Sequence, residues 1–370
     1  MNPTLRVPFL LFVLLAAGFS ATPGGRTDAA PMVQAHAEVI ADLAEELQRE
    51  HLAGTFDGLV LVAHDNSVLF KQAYGCADRQ SGIRNSAATI SDMGSIAKTF
   101  TAAAVLHLVQ GERLQLSDTI GDFYPGADQQ VRSITIEQLL GHSSGLDNFH
   151  NDSDFELMDK AEAERRILAM PLMAVPGERI AYSNAAYTLL AAIVEQASGQ
   201  SFQDYVHENL LGPLQLTNTG FYRDTHLPET HLARGYGGDD QGSTTFGKGL
   251  TWALVGAGGM VSSVDDLASW FYALEQGALF SDQAANPVYT QANERWLLGS
   301  FSQIEINGEP VIQMGGSTDF GYTALIQSVA NRDLLIVLLL NGHDRKYANA
   351  SHHRLSRNHM LPTLLREKDE

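Results

Sequence analysis

A serine and a lysine three residues apart, Ser95 and Lys98, are the residues of this 370-residue chain best placed for covalent chemistry. They begin a segment that is predicted to be helical from about Ser95 to Gln110 and to end at Gly111. Residues three apart share one helix face, and this helix is apolar on every face, which predicts burial. Burial lowers the pKa of an amine, so the adjacent hydroxyl is a candidate nucleophile. Ser-x-x-Lys alone is a weak pattern, because a serine before a helix is often only its N-cap.

A second candidate nucleophile, Ser143, lies in the sequence Gly-His-Ser-Ser-Gly at residues 141–145. This matches the nucleophile elbow of α/β-hydrolases, which needs an apolar strand before it and a helix after it. Here a capping box at 135–138 predicts a short helix before it, and a polar loop follows at 146–154. The context therefore disfavours the elbow and leaves Ser143 as an alternative nucleophile only.

Two more polar residues, Tyr182 and Asn184, directly precede a predicted helix from Ala185 to Ser198 that ends at Gly199. Asn184 is predicted to be the N-cap of this helix. Tyr182 fits either a core aromatic position or a functional position, and the local sequence does not decide between them.

The elements that must position these residues are predicted at both ends of the chain. Residues 33–50 predict an amphipathic helix, and two β-rich runs, 56–63 and 67–75, predict a hairpin. Further β-rich runs follow in the last third of the chain, at 296–306, 311–313, 322–327 and 334–340. The last run is apolar on both faces, as expected of a central strand.

Composition and charge restrict the class of protein. A hydrophobic content of 44% supports a large core, and a net charge of -19 argues against nucleic acid and anionic membranes as partners. Residues 1–20 combine one arginine, an apolar run and small residues before a cleavage point after Ser20. They predict a signal peptide and hence a periplasmic or secreted protein, with no membrane span after cleavage. The single cysteine, Cys76, excludes an internal disulfide.

Cofactor motifs are missing from the sequence. It contains no glycine-rich phosphate loop, no His-Glu-x-x-His pattern and no paired-cysteine spacing, so neither a metal nor a nucleotide cofactor is predicted. The tail at 346–370 holds His352, His353 and His359 without carboxylates at ligand spacing. These histidines are predicted to be solvated.

Several motifs occur in the order found in one protein family. They are Ser95–Lys98, Ile134–Leu146, Pro176–Asn184 and Gly258–Leu267. With them the chain resembles the serine β-lactamase and penicillin-binding-protein superfamily, specifically the class C-like branch that includes esterases, D-aminopeptidases and D-alanyl-D-alanine carboxypeptidases. The resemblance covers about Val33 to Asn341. Each motif alone is weak, whereas the ordered set is strong and places Ser143 on a family loop without a nucleophile.

The resemblance implies an α+β fold, an α/β sandwich. An antiparallel sheet from the N- and C-terminal segments would be flanked by helices, with a mostly helical domain inserted and the site in the cleft between the domains. The sheet domain would comprise residues 33–120 and 250–345, the insert residues 121–249, and a C-terminal tail residues 346–370.

The resemblance also implies a role for each candidate residue. Ser95 would attack an acyl carbonyl and form an acyl-enzyme, while Lys98 and Tyr182 would share the proton transfers. Asn184 would hydrogen-bond Lys98 or a substrate amide. The backbone N–H groups of Ser95 and Ser317 would form an oxyanion hole. Whether Lys98 or Tyr182 is the base stays open at this point.

The third family motif departs from its usual form. A position commonly filled by Lys or His is Met314 here, followed by Gly315, Gly316 and Ser317. The two glycines suit an edge strand that approaches the substrate backbone closely. Without the cation, a substrate carboxylate loses a charge-assisted hydrogen bond of roughly 1.5 to 3 kcal/mol. β-Lactams and D-Ala-D-Ala peptides carry that carboxylate, so β-lactamase or carboxypeptidase activity is predicted to be weak.

The sequence thus predicts an exported serine hydrolase with small ester, amide or peptide substrates. An alternative hypothesis is a non-catalytic binding or sensor protein that keeps the fold. The intact Ser95, Lys98 and Tyr182 favour the enzyme, because a decaying site would be expected to lose its costly buried lysine first.

Overall fold

Helices pack on both faces of an antiparallel sheet in the computed structural model of the chain. The predicted α+β fold is therefore confirmed. The structure describes residues 29–237, 249–280, 287–288, 290–343 and 351–366. The predicted signal peptide at 1–20 lies outside the described residues.

The described strands are, in chain order, β1 (Phe56–His64), β2 (Ser67–Tyr74), β3 (Cys76–Asp78), β4 (Ile83–Arg84), β5 (Ser91–Asp92), β6 (Gly220–Phe221), β7 (Met260–Ser262), β8 (Ser302–Ile306), β9 (Glu309–Ser317), β10 (Thr323–Val329) and β11 (Leu334–His343). Within the described residues, six of them form the main sheet in the order β2-β1-β11-β10-β9-β8. Two smaller sheets, β3-β4 and β5-β7-β6, are formed by other described strands.

The hairpin and the apolar central strand follow from simple rules. β1 turns into β2 through Asp65 and Asn66, which both have positive φ and so suit the tight hairpin turn. β11 lies between β1 and β10, where Leu338 pairs with Val60 on one side and with Leu325 on the other. Helices cover both faces of this strand, which explains its unbroken apolar run and confirms the prediction.

The described α-helices are, in chain order, α1 (Ala29–Leu52), α2 (Ala97–Gln110), α3 (Ile120–Phe123), α4 (Gln129–Arg132), α5 (Ile136–Leu140), α6 (Lys160–Leu168), α7 (Asn184–Ser198), α8 (Phe202–Val206), α9 (Val264–Glu275), α10 (Ser351–Leu355) and α11 (Leu361–Leu364). α2 is buried along nearly its whole length, as its all-round apolar sequence predicts. On one side it packs against α7, and on another Phe100 stacks on Trp270 of α9 at 3.9 Å between ring centroids.

Helices α3 to α8 lie in sequence between β5 and β6, where the resemblance places its inserted domain. The capping box predicted at Thr135 is confirmed, because its hydroxyl accepts the Gln138 N–H and the Gln138 side chain accepts the Thr135 N–H. The proposed domain boundaries themselves stay a prediction. Throughout the described part of the chain, no helix combines the length and apolarity needed to cross a bilayer.

The prediction of a solvated C-terminal tail is wrong for residues 351–366. There, α10 continues through a π-helical turn at Ser356–Met360 into α11. Leu355, Met360 and Leu361 are fully buried in a second core between the sheet and α1. Leu355 and Met360 are five residues apart, a spacing that shares a face in a π-turn and not in an α-helix. This is why helical periodicity did not reveal the buried face.

The tail histidines are also packed. His352 is 3% exposed. His359 Nδ1 lies 2.6 Å from Glu46 Oε1, and Arg354 Nη1 donates to Glu50 at 3.1 Å. Carboxylates from α1 thus meet the tail through tertiary packing, although the tail sequence itself has none at ligand spacing. Together with the ion pair between Arg354 and Glu50, these contacts hold α1 and the C-terminal helices together.

Candidate active site

Ser95 lies in a tight turn that the sheet presses against. It is the middle residue of a 3₁₀ turn, Gly94–Ile96, which leads directly into α2. The pairing of β8 with β9 ends at Gln313, so the last residues of β9 extend past β8 and face this turn. The predicted helix start is thus confirmed to within one turn.

Two glycines permit this close approach. Gly94 has a φ of +51°, and a methyl group there would lie 2.7 Å from Ser317 N. A methyl group on Gly316 would lie 2.1 Å from the Met93 carbonyl oxygen and 2.9 Å from Ser95 N. Side chains at either position would therefore separate the backbone amides of Ser95 and Ser317.

Gly315 has a different role from the one its motif suggested. A methyl group there would meet His352 Nε2 at 2.7 Å on the opposite face of the sheet. This glycine accommodates the C-terminal helix α10, whereas Gly316 accommodates the Ser95 turn. Alternation of side chains along a strand explains why two adjacent glycines serve opposite faces.

Lys98 lies beneath Ser95 and is fully buried. Its Nζ lies 3.1 Å from Ser95 Oγ and donates to Asn184 Oδ1 at 2.6 Å and to the Ala257 carbonyl at 2.7 Å. Burial lowers the pKa of this ammonium group well below its usual value. The 3₁₀ turn and the first turn of α2 place Ser95 and Lys98 on the same face, as the three-residue spacing predicts.

The orientation of the Asn184 amide follows from its neighbour. Asn184 Nδ2 donates to Asn148 Oδ1 at 2.9 Å, and the Asn184 backbone N–H lies 3.2 Å from the same oxygen. Since a backbone N–H can only donate, Asn148 presents its oxygen here, and Asn184 must turn its own oxygen towards Lys98.

Tyr182 completes the group around the serine. Its hydroxyl donates to Ser95 Oγ at 2.8 Å. Burial raises the pKa of this phenol, so it holds its proton at neutral pH. The structure therefore brings together Ser95, Lys98, Tyr182 and Asn184, which come from two separate segments of the chain.

The N-cap prediction for Asn184 is wrong, because Ser183 caps α7. The Ser183 hydroxyl accepts the Ala186 N–H at 3.0 Å and donates to the Asp147 carbonyl at 2.8 Å. Both residues are good caps. The contact with Lys98 and Asn148 fixes Asn184 one position later, as the first residue of the helix.

His142 supports the tyrosine from behind. Its buried ring lies 4.6 Å from the Tyr182 ring and 4.6 Å from the Trp296 ring, and its Nδ1 accepts the Ser183 N–H at 3.1 Å. The His142 carbonyl also accepts the Ala181 N–H. The motif containing His142 was recognised in the sequence, but its contact with Tyr182 could not be read from it.

The elbow at residues 141–145 is not formed. Helix α5 rather than a strand precedes it, and an irregular segment follows. Ser144 is buried and its hydroxyl accepts the Leu146 N–H at 3.2 Å. Among the residues that the structure describes, neither Ser143 nor Ser144 lines the cavity over Ser95.

A cavity of about 430 Å³ opens over Ser95. Of the predicted site residues, Ser95, Tyr182, Asn184 and Ser317 line it. Met314 does not appear among its described lining residues, because its side chain is 3% exposed and packs in the main core. The structure thus places the Met314 side chain in the core and not in the cavity.

Acidic side chains line the cavity and were missed from the sequence. The charged residues among its described lining are Asp152, Asp154 and Asp319. Asp154 and Asp319 tie two loops together, since the backbone N–H of each donates to the carboxylate of the other, at 3.0 and 2.8 Å. Burial raises the pKa of Asp154 to about 6, while the hydrogen bond from the Asp319 N–H opposes this rise. No local motif marks them, because they meet only through folding.

The family model described as Beta-lactamase matches residues 39–355 of the chain. The chain belongs to the beta-lactamase family. The ordered motifs therefore identified its superfamily, that of serine β-lactamases and penicillin-binding proteins, correctly.

Among curated relatives, Protein flp of Staphylococcus aureus (strain COL) is 31% identical over 237 residues, which cover 62% of this chain and 46% of that protein. The teichoic acid D-alanine hydrolase of Staphylococcus aureus is 24% identical over 233 residues, 63% of this chain and 58% of that protein. The chain thus spans about half the length of these relatives.

The D-amino acid amidase from Ochrobactrum anthropi SV3, solved with D-phenylalanine, shares the fold. The TM-score is 0.72 at 18% identity, over 89% of this chain and 99% of that one.

Proposed function

We propose that the chain is an exported serine hydrolase that cleaves esters or amides of amino acids through an acyl-enzyme on Ser95. A single arrangement carries the proposal: the Ser95 hydroxyl lies between a buried amine and a phenol, at the floor of an open cavity. Export rests on the signal peptide predicted at residues 1–20. The net charge of -19 supports a small-molecule substrate rather than nucleic acid.

Lys98 is the proposed base, and the contacts around Nζ fit this role. The Asn184 and Ala257 carbonyl oxygens can only accept hydrogen bonds. A neutral amine donates its two hydrogens to them and directs its lone pair at the Ser95 hydroxyl. The lowered pKa of Lys98 and the raised pKa of Tyr182 favour this pairing of a neutral amine with a neutral phenol.

The proposed reaction balances with these groups. Ser95 Oγ bonds to the acyl carbon as its proton moves to Lys98, and the N–H groups of Ser95 and Ser317 stabilise the oxyanion. The bond between the acyl carbon and the leaving group breaks as the leaving group takes a proton from Tyr182, and the proton on Lys98 then replaces it. In deacylation, water gives a proton to the same pair and bonds to the acyl carbon. The bond between the acyl carbon and Ser95 Oγ then breaks, Ser95 takes that proton back, and the acid is released.

The charge of the cavity favours a substrate that bears an ammonium group. Asp152, Asp154 and Asp319 face the cavity, while the amine of Lys98 is fully buried below it and is proposed to be neutral. A substrate carboxylate would meet like charges, whereas an α-ammonium group would meet opposite ones. The name of one relative, teichoic acid D-alanine hydrolase, also refers to an amino acid. We therefore propose aminoacyl substrates, with D-alanyl compounds as the first to test.

Covalent labelling tests the nucleophile. A fluorophosphonate probe is expected to label the mature protein once, at Ser95, and labelling is expected to vanish in Ser95→Ala. Ser143→Ala is the matched control and is expected to label normally. A wild-type protein that hydrolyses no ester and takes up no probe would support the alternative of a non-catalytic binding protein.

A pair of substrates that differ only in charge tests the acyl group. D-Alanine p-nitroanilide is expected to give at least tenfold higher kcat/KM than propionyl p-nitroanilide, which lacks the ammonium group. Asp154→Asn and Asp319→Asn are each expected to reduce this ratio while leaving the rate with the propionyl compound within about threefold. The highest kcat/KM with a chromogenic cephalosporin would overturn the proposed substrate class.

A further inference from the structure

A buried carboxylate that the proposed reaction does not use lies directly behind the nucleophile. Asp92 is 1% exposed and ends β5, three residues before Ser95. Its position is set by the small β5-β7-β6 sheet, in which Asp92 pairs with Val261. The Met93 N–H donates to the Met260 carbonyl at 3.2 Å and extends that pairing towards the turn.

Both oxygens of this carboxylate are occupied. Asp92 Oδ1 accepts the Gly94 N–H at 2.8 Å, and Asp92 Oδ2 accepts the hydroxyl proton of Tyr222. Tyr222 follows β6 and is 4% exposed. Its own N–H donates to the Gly259 carbonyl at 3.2 Å, which anchors it to the segment before β7.

Neither of these donors is a cation, so both contacts are hydrogen bonds from neutral groups to a buried carboxylate. Burial raises the pKa of Asp92 to about 7, while the bonds from Tyr222 and Gly94 oppose the rise. A buried carboxylate is costly to keep. The position of Asp92 indicates its role. Asp92 holds the Gly94 amide, and Gly94 is the residue at which the Ser95 turn contacts Ser317.

We propose that Asp92 and Tyr222 are positioning residues. They hold the Gly94 amide and thereby set the separation between the two backbone donors, Ser95 N–H and Ser317 N–H, that receive the oxyanion. The expected effect on catalysis rests on the proposed function. The restraint on the Ser95 turn is independent of it. Gly94 adopts positive φ at a contact where an added methyl group would lie 2.7 Å from Ser317 N, so a small relaxation of this turn changes the oxyanion hole directly.

Variants at Asp92 separate positioning from general stability. Asp92→Ala removes the acceptor and is expected to lower kcat for a short-chain p-nitrophenyl ester about 10- to 100-fold, with KM changed by less than about threefold. Asp92→Asn keeps an oxygen for the Gly94 N–H and is expected to recover kcat to within about fivefold of wild type. Tyr222→Phe leaves one carboxylate oxygen without its donor and is expected to fall between the two.

Asp266→Ala is the matched control. Asp266 is also a buried carboxylate that accepts a backbone N–H, from Asn218 at 2.9 Å, and a hydroxyl, from Thr219 at 2.9 Å. It lies on α9, away from the described cavity lining. Its loss is expected to lower Tm comparably while kcat stays within about twofold of wild type.

Hydrogen exchange provides a measurement that is independent of activity. The peptide covering residues 91–96 is expected to exchange faster in Asp92→Ala than in wild type, and at the wild-type rate in Asp92→Asn. Equal exchange in all three proteins, or a kcat loss in Asp92→Ala no larger than in Asp266→Ala, would overturn the positioning inference. If wild type shows no turnover and no fluorophosphonate adduct, the proposed function fails, and the exchange comparison alone decides whether Asp92 restrains the turn.

Discussion

Replacing Gly316 by alanine tests whether the approach of β9 to Ser95 is required for activity. A methyl group at this position would lie 2.1 Å from the Met93 carbonyl oxygen, and ordinary contact begins at 3.4 Å. The strand and the turn must therefore separate by about 1.3 Å, because both atoms in the clash belong to the backbone or to Cβ and cannot rotate away. A misplacement of about 1 Å in a catalytic arrangement can cost about 100-fold.

We therefore expect Gly316→Ala to lower kcat for a p-nitrophenyl ester about 100-fold, or about 2.7 kcal/mol in activation free energy. Gly315→Ala is the control on the same strand, because its methyl group would meet His352 on the opposite face. It is expected to lower Tm while kcat falls no more than about threefold. Steady-state kinetics measure kcat, and thermal melts measure Tm. Equal losses of kcat in the two variants would refute the assignment of opposite roles to these glycines.

Three other predictions concern the base, the acid and the C-terminal helices. Lys98→Met is expected to lower kcat/KM by about 10² to 10⁴. The wild-type rate is expected to rise with pH through a pKa well below 10.5, because the proposed base acts only when neutral and burial lowers the pKa of Lys98. If the Lys98→Met rate rose with pH in the same way, this assignment would be contradicted. Tyr182→Phe is expected to slow p-nitroanilide hydrolysis more than p-nitrophenyl ester hydrolysis, because the anilide leaving group needs a proton; equal losses would argue against Tyr182 as the acid. Leu355→Ala is expected to lower the free energy of unfolding by about 2 to 5 kcal/mol, because Leu355 is fully buried. Arg357→Ala, at an exposed position of the same segment, is expected to lower it by less than about 0.5 kcal/mol. Urea unfolding compares the two variants, and equal stabilities would contradict burial of the tail.

Local rules were sufficient to predict the elements around Ser95. The all-round apolar sequence of α2 predicted its burial, and the three-residue spacing placed Lys98 under Ser95. The capping box at Thr135 and the hairpin turn at Asp65 were readable because each depends on a few neighbouring residues.

Adjacent residues of similar chemistry could not be assigned in the same way. Ser183 and Asn184 are both good caps, and only the contact of Asn184 with Lys98 and Asn148 decides which one caps α7. Gly315 and Gly316 likewise look equivalent in sequence, although the strand directs them to opposite faces of the sheet. In both cases the deciding atoms come from distant parts of the chain.

The sequence by itself determined the superfamily, the pairing of Ser95 with Lys98 and the central strand of the sheet, because these depend on residue order and on local periodicity. Only the tertiary structure decided the burial of the C-terminal helices, the acidic lining with Asp154 and Asp319, and the hold of Asp92 and Tyr222 on the Ser95 turn. Asp154 and Asp319 are 165 residues apart in the chain and Asp92 and Tyr222 are 130 apart. Residues so far apart in sequence leave no local signal of their contact, because packing around the shared core brings them together.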